Sequence, residues 1–147
     1  MTDFPLAEIT LRKYENPYQS DKRELCKKIC LSLGLLQPGD SRDIIVDILL
    51  VLLEARGGKE EIETEEIREK VIAVRKKSNL ELNGIADSNI RRQLKRLKDI
   101  FIVEKTNKGY RITEFESLEK IFSEKLENFL IPSIISRIKE YLLQIDK

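Results

Sequence analysis

The chain has 147 residues, 41% of them apolar and 36% charged, with 27 basic against 26 acidic side chains. That length suits one hydrophobic core with appended helices, and an apolar content this high with almost no net charge excludes a disordered chain. Histidine is absent and Cys26 and Cys30 are the only thiols, which weighs strongly against zinc sites and hydrolytic triads; no metal, cofactor or catalytic residue is expected.

Residues 1–20 contain Pro5 and Pro17 and show little periodicity, which predicts an extended, partly disordered N-terminal arm. Residues 1–11 lack a basic stretch followed by an apolar block, so no signal peptide is expected. Residues 21–40 predict an additional helix, with Leu25, Cys26, Ile29, Cys30, Leu33 and Leu36 on one face, ended by Gln37-Pro38-Gly39-Asp40. The two cysteines read as small core hydrophobes in a reducing, cytoplasmic setting.

Ser41 is the expected N-cap of the next helix, which has Asp43 in its first turn and runs to Arg56 before Gly57-Gly58 stops it. Apolar on nearly every side, it belongs at the centre of the fold. Its apolar run, residues 44–53, is interrupted by Asp47 and is half the roughly 20 residues of a bilayer span, so no membrane association is expected. After residues 59–63, Thr64 caps a helix that reaches about Lys77, with Ile67, Val71 and Val74 on one face. A loop at 79–86 precedes a helix capped by Asp87 or Ser88, whose buried side is Ile90, Leu94, Leu97 and Phe101 and which ends near Asp99. Residues 100–105 and 110–113 are β-branched and aromatic and flank Thr106-Asn107-Lys108-Gly109, the pattern of a hairpin. Residues 114–147 are helical again, first with Leu118, Phe122, Leu126 and Phe129 on one face. Pro132 predicts a kink or a new start, and beyond it Ile134, Ile138, Tyr141, Leu142 and Ile145 form a narrow apolar stripe.

Charge is unevenly spread, at +5 over residues 86–111 and −3 over residues 59–70. On the helix beginning near Asp87, the side opposite Ile90, Leu94 and Leu97 carries Ser88, Arg92, Lys95 and Arg96, with Asn89 and Arg91 on its margins. These are residue types that reach phosphates and guanine edges. Neither Arg92 nor Arg96 is expected to face the core.

Residues 41–113 run helix, short strand, helix, loop, helix, hairpin. That order, with Ser88-Asn89-Ile90-Arg91-Arg92-Gln93-Leu94-Lys95-Arg96-Leu97 followed by Ile102-Val103-Glu104-Lys105 and Gly109-Tyr110-Arg111-Ile112, resembles the winged helix-turn-helix family in the cadence of its archaeal and bacterial regulators. The resemblance covers about half the chain. One departure is the 79–86 loop, longer than the 3–4-residue turn of the motif.

The resemblance implies a mainly α fold with a small β-hairpin wing, in which a winged-helix core at 41–113 carries added helices at 21–40 and 114–147. It implies sequence-specific binding of double-stranded DNA by a transcriptional regulator, with the third helix in the major groove and Lys105, Lys108 and Arg111 of the wing on phosphates. The stripe of Ile134, Ile138, Tyr141, Leu142 and Ile145 either closes the core of one chain or, as such appended helices often do, joins two chains into a homodimer. The main rival is a winged-helix protein-interaction module of a transcription, replication or membrane-remodelling assembly. An enzyme carried by Glu60, Glu61 and Glu63, or by Tyr14 and Tyr18, is disfavoured by the lack of histidine, of a phosphate loop and of metal-ligand spacing. Abundant Ile, Lys and Glu without tryptophan or histidine hints at a thermophile.

Overall fold

A computed structural model describes residues 2–18 and 20–147; Met1 and Gln19 of the arm lie outside the described residues. The fold is mainly helical with one small antiparallel hairpin. In chain order it comprises α1 (Lys22–Ser32), α2 (Ile44–Gly57), α3 (Thr64–Lys77), α4 (Asp87–Asp99), β1 (Val103–Thr106), β2 (Gly109–Ile112), α5 (Leu118–Ile121), a π-helical stretch (Phe122–Leu130) and α6 (Ile131–Ile145). No helix among the described residues is long and apolar enough to cross a membrane.

α2 is the centre, as its all-round apolarity predicts, and α1, α3, α4 and β2 pack around it. Ile48, Leu49 and Leu52 are fully buried, and Ile67 and Val71 of α3 and Ile90, Leu94 and Leu97 of α4 close on them. Cys26 and Cys30 are buried in the same core, and burial pushes their thiols up to about 11 and about 12.

α1 stops at Ser32, four residues earlier than the apolar pattern suggests. Leu35 N donates to Cys30 O (2.8 Å) and Gly34 N to Leu31 O (3.3 Å), the paired bonds of a Schellman cap. Gly34 takes the left-handed φ of +73°, and a Cβ there would meet the Thr10 side chain at 2.4 Å. The same close approach holds the arm, where Arg12 N donates to Ser32 O (2.8 Å) and its guanidinium to Leu31 O (2.8 Å) and Leu36 O (3.3 Å). Residues 9–14, expected to be partly disordered, are therefore fixed against the core.

Asp43, not Ser41, caps α2, and its carboxylate makes no capping bond. It belongs instead to a buried ion network. Asp47, 0% exposed, accepts from Arg75 Nη1 of α3 (2.6 Å) and Arg23 Nε of α1 (2.8 Å), and Asp43 accepts from the same two guanidinia at 2.9 and 3.1 Å. Burial pushes the Asp43 carboxyl up, but the hydrogen bonds from Arg23 and Arg75 outweigh this and hold it below the usual carboxylate value. Two charges of each sign close the network as a neutral unit, which is what lets it sit in the core.

The hairpin pairs Val103 with Ile112 and Thr106 with Gly109, leaving Asn107-Lys108 as a two-residue loop. Ile62, just ahead of α3, adds a third short edge by exchanging backbone bonds with Tyr110 at 2.7 and 3.0 Å. Gly109 makes this possible, because a Cβ there would lie 2.5 Å from the Ile62 carbonyl. Ile100 and Phe101, expected in the first strand, instead form the turn out of α4, with Phe101 at a left-handed φ of +66°.

The C-terminal helices form one rod. Pro132 lies in the first turn of α6 without interrupting it, since Leu130 and Ile131 keep helical torsions. Ile121, Leu126 and Leu130 are buried against the core; of the expected face, Leu126 is fully buried and Leu118 and Phe122 pack against the core half-buried, whereas Phe129 does not. Ile121 and Leu126 are five apart, a spacing that the wider π turn brings onto one side and an α-helix would not. Phe129 is 58% exposed and touches the core side only through an edge contact to Phe101 (5.9 Å between centroids).

Removing one partner from a buried ion network strands the others. Asp47→Ala is expected to lower the unfolding free energy in urea by about 3–5 kcal/mol, whereas Asp47→Leu with Arg75→Met should lose much less. Equal losses in the two variants would contradict the coupling.

Candidate nucleic-acid interface

Ile90, Leu94 and Leu97 anchor one edge of α4 with no exposure at all, so the opposite edge must face outward. Ser88, Arg91, Arg92 and Lys95 are exposed there, and Lys95 makes only a surface pair with Asp99, four residues on in the same helix, at 3.0 Å. Such pairs restrain a side chain little.

The loop into α4 is held at three points despite its length. Arg75 Nε donates to Glu81 O, Arg68 Nε to Ile85 O (2.7 Å), and Asn89 Nδ2 to Gly84 O (2.7 Å). Neither Asp87 nor Ser88 caps the helix by its side chain; Ala86 is the cap residue. Asn89 is half-buried and also accepts from Gln93 Nε2 (3.1 Å), so it positions the start of α4 rather than projecting from it.

Arg96 departs from expectation. It is half-buried, with Nη1 donating to Gln93 Oε1 (2.8 Å) and Nη2 to Gly34 O (3.2 Å), which ties α4 to the end of α1. Arg96 still lines a concavity of about 390 Å³ shared with Arg92, Asn89, Gln93, Gln37, Asp40 and Arg42. Arg42 escaped the sequence reading. It is exposed, and only the fold brings it beside two arginines some fifty residues away.

On the hairpin, Lys105 and Lys108 are exposed, and Lys105 Nζ lies 5.7 Å from the Tyr110 ring centroid. Arg111 is engaged elsewhere: its guanidinium pairs with Glu104 (3.1 Å) and Glu61 (3.5 Å) and stacks over Phe115 (4.8 Å). Its charge is thus spent inside the hairpin base.

The structure brings Ser88, Arg91, Arg92, Lys95, Lys105 and Lys108 outward and uses Asn89, Arg96 and Arg111 wholly or partly as internal ties. Lys108 borders an acidic concavity of about 360 Å³ lined by Glu61, Glu63, Glu65, Glu66 and Glu69. The acidic segment of the sequence is thus gathered in space, its glutamates beside the hairpin tip.

The five stripe residues lie elsewhere, on α6. Ile138, Tyr141, Leu142 and Ile145 are between 52% and 80% exposed and Ile134 is half-buried, so the stripe does not close the core of its own chain.

No protein-family model, curated protein or solved structure matches this chain.

Glutamates beside the hairpin tip should repel any polyanion approaching it. A Glu65→Gln, Glu66→Gln variant is expected to elute from a heparin column at higher salt than the parent. Unchanged elution would show that these carboxylates do not act on the hairpin face.

Proposed function

We propose that this protein is a winged helix-turn-helix regulator of transcription that binds double-stranded DNA sequence-specifically as a homodimer. The observation that carries the reading is α4: a helix whose apolar edge is fully buried and whose outward edge holds Ser88, Arg91, Arg92 and Lys95, beside a hairpin that projects Lys105 and Lys108. The order α2, Ile62 edge, α3, α4, β1, β2 supports it, since it is the element order of the winged helix.

In this reading α4 enters the major groove. The Arg92 guanidinium donates two hydrogen bonds to N7 and O6 of a guanine, while Arg91 and Lys95 reach base edges or phosphates on either side. Arg42, on the rim shared with Arg92 and Arg96, serves a flanking phosphate, and Lys105 and Lys108 serve the phosphates beneath the wing. Two chains joined through α6 present two such helices to one duplex, which selects two-fold related half-sites.

The glutamates around Lys108 favour a second reading, in which this acidic concavity meets the basic surface of a partner protein. Binding of naked duplex separates the two.

The test is a pair of substitutions measured on the DNA upstream of the protein's own coding sequence and on a scrambled duplex. Arg92→Ala should cost roughly 1–3 kcal/mol of binding on the specific duplex, relax preference at one position and leave melting unchanged. Arg96→Ala should weaken binding and also lower the melting temperature, because it releases Gly34 O. Loss of affinity in neither variant, on either duplex, would overturn the DNA reading in favour of the protein partner.

A further inference from the structure

Among the described residues, little of the chain covers α6. None of its residues is buried, and only Ile131 and Ile134 touch the core. Facing it is the start of the arm, where Phe4 is 82% and Leu6 93% exposed. Between arm and helix runs an apolar groove of about 550 Å³ with Phe4, Pro5 and Leu6 on one wall and Ile134, Ile138 and Tyr141 on the other.

We propose that this groove receives α6 of a second copy of the chain, lying antiparallel to the first, and that each arm closes over the partner's helix. The inference deepens the homodimer of the preceding reading and rests on it.

Area points to a stable partner. At roughly 200 Å² for a large side chain, the exposed parts of Phe4, Leu6, Ile135, Ile138, Tyr141, Leu142 and Ile145 present on the order of 900 Å². An interface of standard size takes roughly 800 Å² from each partner, and the largest patch on a typical monomer is only about 300–600 Å².

Pattern then fixes direction. Ile131, Ile134, Ile138, Tyr141 and Ile145 alternate three and four apart, the seam of a paired helix. One flank of that seam carries Ile135 and Leu142, and the other Arg137 and Gln144. Parallel helices would set Arg137 against the partner's Leu142, charge against apolar surface. Antiparallel helices set Ile135 against the partner's Leu142 on one flank and Arg137 against the partner's Gln144 on the other, so like meets like. In that register Ile138 lies opposite the partner's Tyr141, and Ile134 opposite the partner's Ile145. The arm lies on the Arg137 flank, the side that the apolar residues leave uncovered.

Two measurements on the full chain test this. Chains carrying Ile134→Cys and Ile145→Cys are co-expressed and mildly oxidised; native Cys26 and Cys30 are buried and stay silent. Disulfide-linked dimer is expected from the mixture and not from either variant alone. Linkage within either single variant, or none in the mixture, overturns the antiparallel register. Separately, Phe4→Ser with Leu6→Ser, both on the exposed arm, should weaken the dimer at least about tenfold in sedimentation while leaving melting of the monomer unit and heparin retention in place. An unchanged dimer constant overturns the clamping arm and leaves the α6 dimer standing. A wild-type chain that sediments as monomer overturns the inference together with the dimer, and leaves DNA binding by single α4 helices to be judged on its own assay.

Discussion

The path of the chain from the central helix out to α4 depends first on the buried network of Asp43 and Asp47 with Arg23 and Arg75. Asp47 inside α2 and Asp43 at its cap would cost several kcal/mol each if buried alone. Here they are reached from two directions, by α1 through Arg23 and by α3 through Arg75, so the network ties both helices to α2. Arg75 also holds Glu81 O, so the same guanidinium that satisfies Asp47 directs the chain out of α3 toward α4. Among the described residues no buried side-chain nitrogen or oxygen lacks a partner, so the network is fully satisfied rather than merely tolerated.

From that centre the structure divides into a part that is held and a part that is offered. Arg96, Asn89 and Arg111 spend their hydrogen bonds within the chain, and each of them fixes an element from which other cations project: Asn89 and Arg96 fix α4, and Arg111 fixes the hairpin against Glu61 and Glu104. Arg91, Arg92, Lys95, Lys105 and Lys108 are what remains on the outside. The offered apolar surface is separate again, on α6 and the arm, so a dimer formed there leaves the basic face open.

Much of this was legible in the sequence because it is local. α3 runs from Thr64 to Lys77 where periodicity places it, although Glu63 and not Thr64 is its cap, the hairpin turns at Asn107-Lys108, and the edge of α4 marked by Ile90, Leu94 and Leu97 is the buried one. What escaped is what depends on distance along the chain. Asp47 reads as a flaw in an apolar run until Arg75, 28 residues on, is brought against it. Arg96 reads as an outward cation until Gly34, 62 residues before it, accepts its bond. On the last helices Leu118, Phe122 and Leu126 face the core as their spacing predicts, but Ile121 joins that face and Phe129 leaves it, because the chain takes a π turn where a period of 3.6 would otherwise continue.

We propose that the face carrying Arg91, Arg92, Lys95, Lys105 and Lys108 meets the phosphates and bases of duplex DNA. The most direct test is the affinity of the intact protein for a duplex across a salt series. Contacts to several phosphates predict a fall in log K with log salt at a slope near −0.9 for each phosphate neutralised, so about −4 to −5 if Arg42, Arg91, Lys95, Lys105 and Lys108 of one subunit each reach a phosphate, and about twice that for the dimer. A slope indistinguishable from zero, or no binding of duplex at low salt, would contradict the claim.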